Sequence, residues 1–248
     1  MINKKFFGVG GITQVGTPPV SYPTSFSATS TTVADYHDFP FGAAYNAVDG
    51  YLYTLERDES DGNKFDLIRR NATTGAFISS RGKIGTDFGG LDFDSNGYAW
   101  AVQRSSNSVV RKYNTSAVYQ NVQFNVTGFY ADDVAIDDND IFYVVRNSSA
   151  TIYSYNISGV GQGNFNLGTN GNVNIVHADG KLWVGNGSST WYGRTIATST
   201  NEDNFTNNNP YGSDNLQAAA YIPDSEILWN VEFLSGTGQV FRKYTANF

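Results

Sequence analysis

Cysteine is absent from this chain, which removes disulfides, thiolate metal sites and thiol nucleophiles together and leaves packing to hold the fold. Charge is scarce: 16% of the 248 residues are ionisable Asp, Glu, Lys or Arg, and acids outnumber bases 23 to 16. The net charge of -7 argues against a nucleic-acid or anionic-membrane partner, since both want a basic face. No apolar run approaches the length of a membrane-spanning helix, and no stretch keeps a 3.6-residue period. The opening Met1–Ile12 is too broken by glycine to form a signal-peptide core, so the chain is expected to fold in a cytoplasm.

Aromatics, at 15%, and small polar residues are what the chain has in plenty, and they recur. A unit of about 43 residues returns five times, each with an apolar strand, a polar turn, an aromatic strand and a Tyr- or Arg-rich strand. Aligned on the turn, Gly50, Gly97, Asp140, Gly180 and Glu226 are equivalent. The strand after each turn alternates with a two-residue period, as in Tyr51, Tyr53 and Leu55 or Tyr98, Trp100 and Val102. A weaker fourth strand follows near 76–83, 119–126, 162–167 and 204–209. Four antiparallel strands at this spacing predict an all-β, five-bladed β-propeller over 25–248. The fifth unit ends after its third strand, so Ser25–Tyr36 is expected to supply the missing outer strand and close the ring.

The segment from Gly90 to Trp100, followed by Val109–Tyr113, resembles the NHL or YVTN class of propeller repeat. That resemblance implies a binding platform more often than an enzyme, and it carries fold without residue roles. Residues 1–24, rich in Gly, Thr and Pro, are expected to form an extended docking arm anchored by Phe6, Phe7 and Ile12. With an initiator methionine and a Ser/Thr/Asn-rich β body, this arm resembles structural proteins of tailed-bacteriophage particles. The expectation is therefore a non-enzymatic virion component that meets other virion proteins through the arm and faces a host-surface glycan. No cofactor, metal, nucleic acid or membrane partner is expected. A glycan-binding lectin and, behind it, a glycosidase are the alternatives.

The chemistry-bearing residues are few. The loop Arg57–Asp66 is acidic, but placing Gly62 at the sixth position of a calcium loop puts Arg57 first, which suits a hairpin turn instead. Asp94, Asp137, Asp138, Asp179 and Asp224 fall at the turns, where an acid caps backbone N–H groups. Asp92, Asp132 and Asp133 lie on inner strands and form the best set for a two-carboxylate glycosidase. His37 and His177 have no sequence partner that would make a metal site. The equivalent aromatics Tyr53, Trp100, Tyr143, Trp183 and Trp229 are expected between blades, and Trp191 with Tyr192 is expected to be the exposed pair available to a ligand. Asn-x-Ser/Thr triplets, among them Asn71, Asn114 and Asn156, are read as turn asparagines.

Overall fold

The computed structural model describes residues 25–34, 39–126, 128–146, 149, 151–166, 174–178, 180–185, 190–196, 201–206, 216–234 and 238–247. The arm residues Phe6, Phe7 and Ile12, together with His37 and Asp179, lie outside them. What is described is all-β, in five four-stranded antiparallel sheets.

Blade 1 is β2 (Phe39–Asn46), β3 (Tyr51–Asp58), β4 (Lys64–Arg70) and β5 (Phe77–Thr86), following β1 (Ser25–Ala34) in the chain. Blade 2 is β6 (Phe88–Phe93), β7 (Ala99–Gln103), β8 (Val109–Tyr113) and β9 (Tyr119–Asn125). Blade 3 is β10 (Ala131–Ile136), β11 (Phe142–Arg146), β12 (Thr151–Tyr155) and β13 (Gly161–Asn166). Blade 4 is β14 (Asn174–Ala178), β15 (Lys181–Gly185), β16 (Thr190–Thr195) and β17 (Asn201–Thr206), the last three residues earlier than its sequence pattern suggests. Blade 5 is β18 (Leu216–Ile222), β19 (Ile227–Leu234) and β20 (Gly238–Asn247), completed by β1. β1 pairs antiparallel with β20 from Ser25↔Asn247 to Ala34↔Gln239, so the N-terminal strand closes the ring on the last blade. The outer edge of β20 is thereby paired rather than left as a template for aggregation.

Each turn from the first to the second strand places one residue in the left-handed region: Gly50, Gly97 and Gly180 at φ 75°, 77° and 80°, Asp140 at 57° and Glu226 at 54°. Three of the five are glycine because only glycine enters that region without a Cβ penalty. Two of the turn acids, Asp94 and Asp137, cap their own backbone as expected. Asp94 accepts from the N–H groups of Asn96 and Tyr98, and Asp137 from those of Asn139 and Ile141. Asn71, Asn114 and Asn156 cap the next turn in blades 1, 2 and 3 in the same way.

The inner strands β2, β6, β10, β14 and β18 contact one another in cyclic order, β18 returning to β2. One apolar cluster fills each space between neighbouring blades. Tyr53, Trp100, Tyr143, Trp183 and Trp229 each sit in a different one, at 5% exposure or less, which makes them inter-blade core. The seam between blades 1 and 5 carries a buried ion pair as well. Arg70 bonds Glu56 at 2.6 Å and lies 4.5 Å over the Phe241 ring.

Candidate functional site

All five inner strands contribute side chains to one cavity of about 240 Å³, which therefore lies on the ring axis, at the mouth formed by the first turns. Tyr45, Phe93, Ile136, His177 and Tyr221 occupy equivalent register positions in its wall, paired with Leu52, Ala99, Phe142, Leu182 and Leu228. One step deeper, the cross-strand partners of the five inter-blade aromatics are Ala44, Asp92, Ala135, Val176 and Ala220. Four are small and apolar; the fifth is a carboxylic acid.

Asp92 is half-buried and lines the cavity. Its carboxylate accepts 2.8 Å from the N–H of Phe93 and 2.7 Å from that of Ile136, reaching from blade 2 to the inner strand of blade 3. Burial pushes its pKa up from 3.8 to about 7, against the two backbone donors, which pull it down. A carboxyl that titrates near neutrality can both give and take a proton at physiological pH.

Asp133, on the neighbouring inner strand β10, is 4% exposed. One carboxylate oxygen accepts from its own strand at Val134, and the other from Ile175 of blade 4 at 2.9 Å. The space it fills is the space a side chain on Gly90 of blade 2 would need, since a Cβ there would lie 1.5 Å from its Oδ1. Burial drives the pKa of Asp133 well above 3.8, and the nearby Asp92 and Asp132 add to the rise. Asp132, the extra residue of a bulge in β10, is also buried, with its Oδ1 3.6 Å from Nε of Arg104. The three inner-strand acids do gather at the axis, but only Asp92 lines the cavity.

The remaining sequence candidates fall as follows. Asp94 contributes to the cavity wall, but its side chain has 0% exposure, so its carboxylate serves blade 2. Burial would raise its pKa, yet Lys112 at 2.9 Å and the indole N–H of Trp100 at 2.9 Å hold it below the usual value. The Arg57–Asp66 loop is a hairpin connection with one turn of 3₁₀ helix at Glu59–Asp61. His177 lines the cavity and accepts the N–H of Gly180 on Nε2 at 3.1 Å. Trp191 is not exposed: at 0% it belongs to the core between blades 4 and 5, while Tyr192 is half-buried. The adjacent Gly193 is there for packing, because a Cβ would come within 2.8 Å of the Trp183 ring. Among the described residues no group of three or more His, Asp or Glu is placed to hold a metal ion.

Tyr45 and Tyr221 are cavity residues that the repeat pattern did not single out, although their positions can be aligned across the five blades. The described lining has no lysine or arginine, and beside Asp92 and the Lys112-paired Asp94 it carries Asp137 and Asp138, so the mouth attracts positive charge.

No family model matches the chain, and no curated protein sequence matches it. Solved structures do. The glutaminyl cyclase of Myxococcus xanthus superposes with a TM-score of 0.68 at 12% identity, over 90% of this chain and 97% of that one. A protein of unknown function from Bacteroides caccae gives 0.55 at 8%, over 86% and 83%. The PQQ-bound aldose sugar dehydrogenase of Streptomyces coelicolor gives 0.50 at 12%, over 93% and 100%. Identities this low carry the five-bladed fold and no more, and they lend nothing to the NHL or YVTN resemblance or to a phage arm. They do overturn the expectation of a non-enzymatic virion component. Its non-enzymatic part rested on rings of this kind being binding platforms, and two of these three rings are enzymes; its virion part rested on the resemblance of the arm, for which these neighbours give no support.

Proposed function

We propose that this ring is an enzyme that performs acid–base chemistry on a small amine-bearing substrate in the axial cavity, with Asp92 as the proton-transfer group. The observation that supports it most is the break in fivefold symmetry, a carboxylic acid facing the cavity where the other blades place Ala or Val. Its titration near neutrality suits it to proton transfer. The acidic lining favours a substrate carrying an ammonium group. At about 240 Å³ the cavity falls below the 300–1,000 Å³ usual for drug-sized ligands, which suits the end group of a peptide.

Cyclisation of an N-terminal glutaminyl residue, the reaction named for the Myxococcus xanthus neighbour, meets these requirements and is the reaction to test. The α-amine nitrogen bonds the side-chain amide carbon, the carbon–nitrogen bond to the leaving amide breaks, and ammonia departs. A proton must pass from the attacking to the leaving nitrogen, and Asp92 would carry it. Purified protein is incubated with Gln-initiated peptides and ammonia release is followed. The expected result is turnover that falls at least 100-fold in Asp92→Asn, in line with the 10²–10⁴ typical of a lost general acid–base. Turnover unchanged by that substitution removes Asp92 from the chemistry, and no ammonia release removes the glutaminyl substrate.

A further inference from the structure

At the opposite mouth of the ring, where the inner strands begin, a second cavity of about 190 Å³ is lined by residues of blades 1, 2 and 3. Its walls are aromatic, with Phe41 and Phe65 from blade 1, Phe88 from blade 2 and Tyr130 at the rim, 43% exposed. Two arginines enter it. Arg57 lies 4.4 Å over the Phe39 ring and 5.5 Å over Phe41, and Arg104 lies 4.7 Å over Phe41. Stacking fixes each guanidinium plane while leaving its edge for an acceptor. Arg57 gives one edge nitrogen to Glu59 at 2.5 Å. Arg104 is anchored by its backbone N–H on the carbonyl of Asp87, and its Nε is 3.6 Å from Asp132, beyond hydrogen-bond range. The buried Nε atoms of both arginines have no hydrogen-bond partner among the described residues.

We infer that this pocket binds the carboxylate of a small planar organic acid, with Arg104 as its principal charge partner and Phe41, Phe88 and Tyr130 as the apolar walls. A planar guanidinium fork matches a carboxylate, and aromatic walls favour a flat body beside it. Asp87 in the lining, Asp132 beneath Arg104 and Glu59 on Arg57 outweigh the two guanidinium charges, which disfavours a phosphate dianion and leaves the Arg104 edge and the aromatic walls to recognise a monoanion. Neither arginine lines the Asp92 cavity, so the site is independent of the catalytic reading.

Calorimetric titration of the full chain with benzoate, benzamide and inorganic phosphate tests the inference. Saturable benzoate binding is expected, at least tenfold tighter than benzamide or phosphate. Arg104→Gln is expected to weaken it at least tenfold, Arg104→Lys to restore part of it, and Asp92→Asn to leave it unchanged. Equal affinity for benzoate and benzamide, tighter binding of phosphate, or no saturation by 20-fold excess over millimolar protein each overturns it. If Arg104→Gln lowers the melting temperature, Arg57→Gln is titrated in its place, and undiminished binding there overturns the two-arginine site.

Discussion

Replacing Asp92 by Asn removes a titration as well as the proposed proton carrier, and the two consequences are separable. The Asp92 pKa stands at about 7 in the folded protein against 3.8 ordinarily. The rise of roughly three units corresponds to about 4 kcal/mol at 1.36 kcal/mol per unit. That figure is an upper bound, because the carboxyl faces a solvent-accessible cavity that screens its charge. Since the pKa is raised on folding, the native state holds a proton that the unfolded chain releases. The associated stability is complete below pH 3.8 and is lost as pH rises through about 7.

Melting temperatures of the wild type and Asp92→Asn, measured from pH 4 to pH 8, should therefore converge or cross as pH rises. The wild type loses up to about 4 kcal/mol over that window, roughly 8–16 °C at 2–4 °C per kcal/mol. The asparagine has no charge to bury. It can accept only one of the two backbone N–H groups with its single amide oxygen, so it starts lower at acid pH. Asp133 titrates in both proteins and cancels to first order, although losing its charged neighbour lowers its own pKa somewhat. A wild-type minus variant difference that stays flat with pH, or that grows in favour of the wild type as pH rises, refutes the buried-acid account of Asp92.

Trp100→Ala should destabilise by about 3–5 kcal/mol, the range for emptying a buried aromatic site, because the indole is fully buried and its N–H donates to Asp94. Chemical denaturation checks this, and an unchanged midpoint would place the ring outside the core. Glu226→Gly should stabilise by roughly 0.5–1 kcal/mol, the left-handed penalty of about 1–2 less the entropy cost of glycine, while Asp140→Gly should stabilise less or destabilise. The Asp140 carboxylate accepts from the backbone N–H and the hydroxyl of Ser95 on the next turn, both at 2.8 Å, and glycine forfeits both bonds. Equal melting shifts for the two variants would show that the link between turns contributes nothing.

The parts of this molecule that could be read in advance are those that repeat. Strand alternation, the turn residue with positive φ and the inter-blade aromatics each occur five times, so chance matches average out, and even the strand exchange at β1 followed from a block that lacked its fourth strand. The proposed site lies where the repeat is broken, and that signal is legible only once the register is known. Asp92 stands out against Ala44, Ala135, Val176 and Ala220 because strand pairing makes the five comparable. The second cavity had no such reference. Arg57 lies at the end of β3, and Arg104 and Tyr130 come from the connections after β7 and β9, which no period aligns. Trp191, expected to be exposed, is core for a related reason that no period marks: beside it Gly193 admits the ring of Trp183. The same logic applies at Gly90, where the missing side chain makes room for the carboxylate of Asp133, so a glycine inside an inner strand of this ring marks close approach, not exposure.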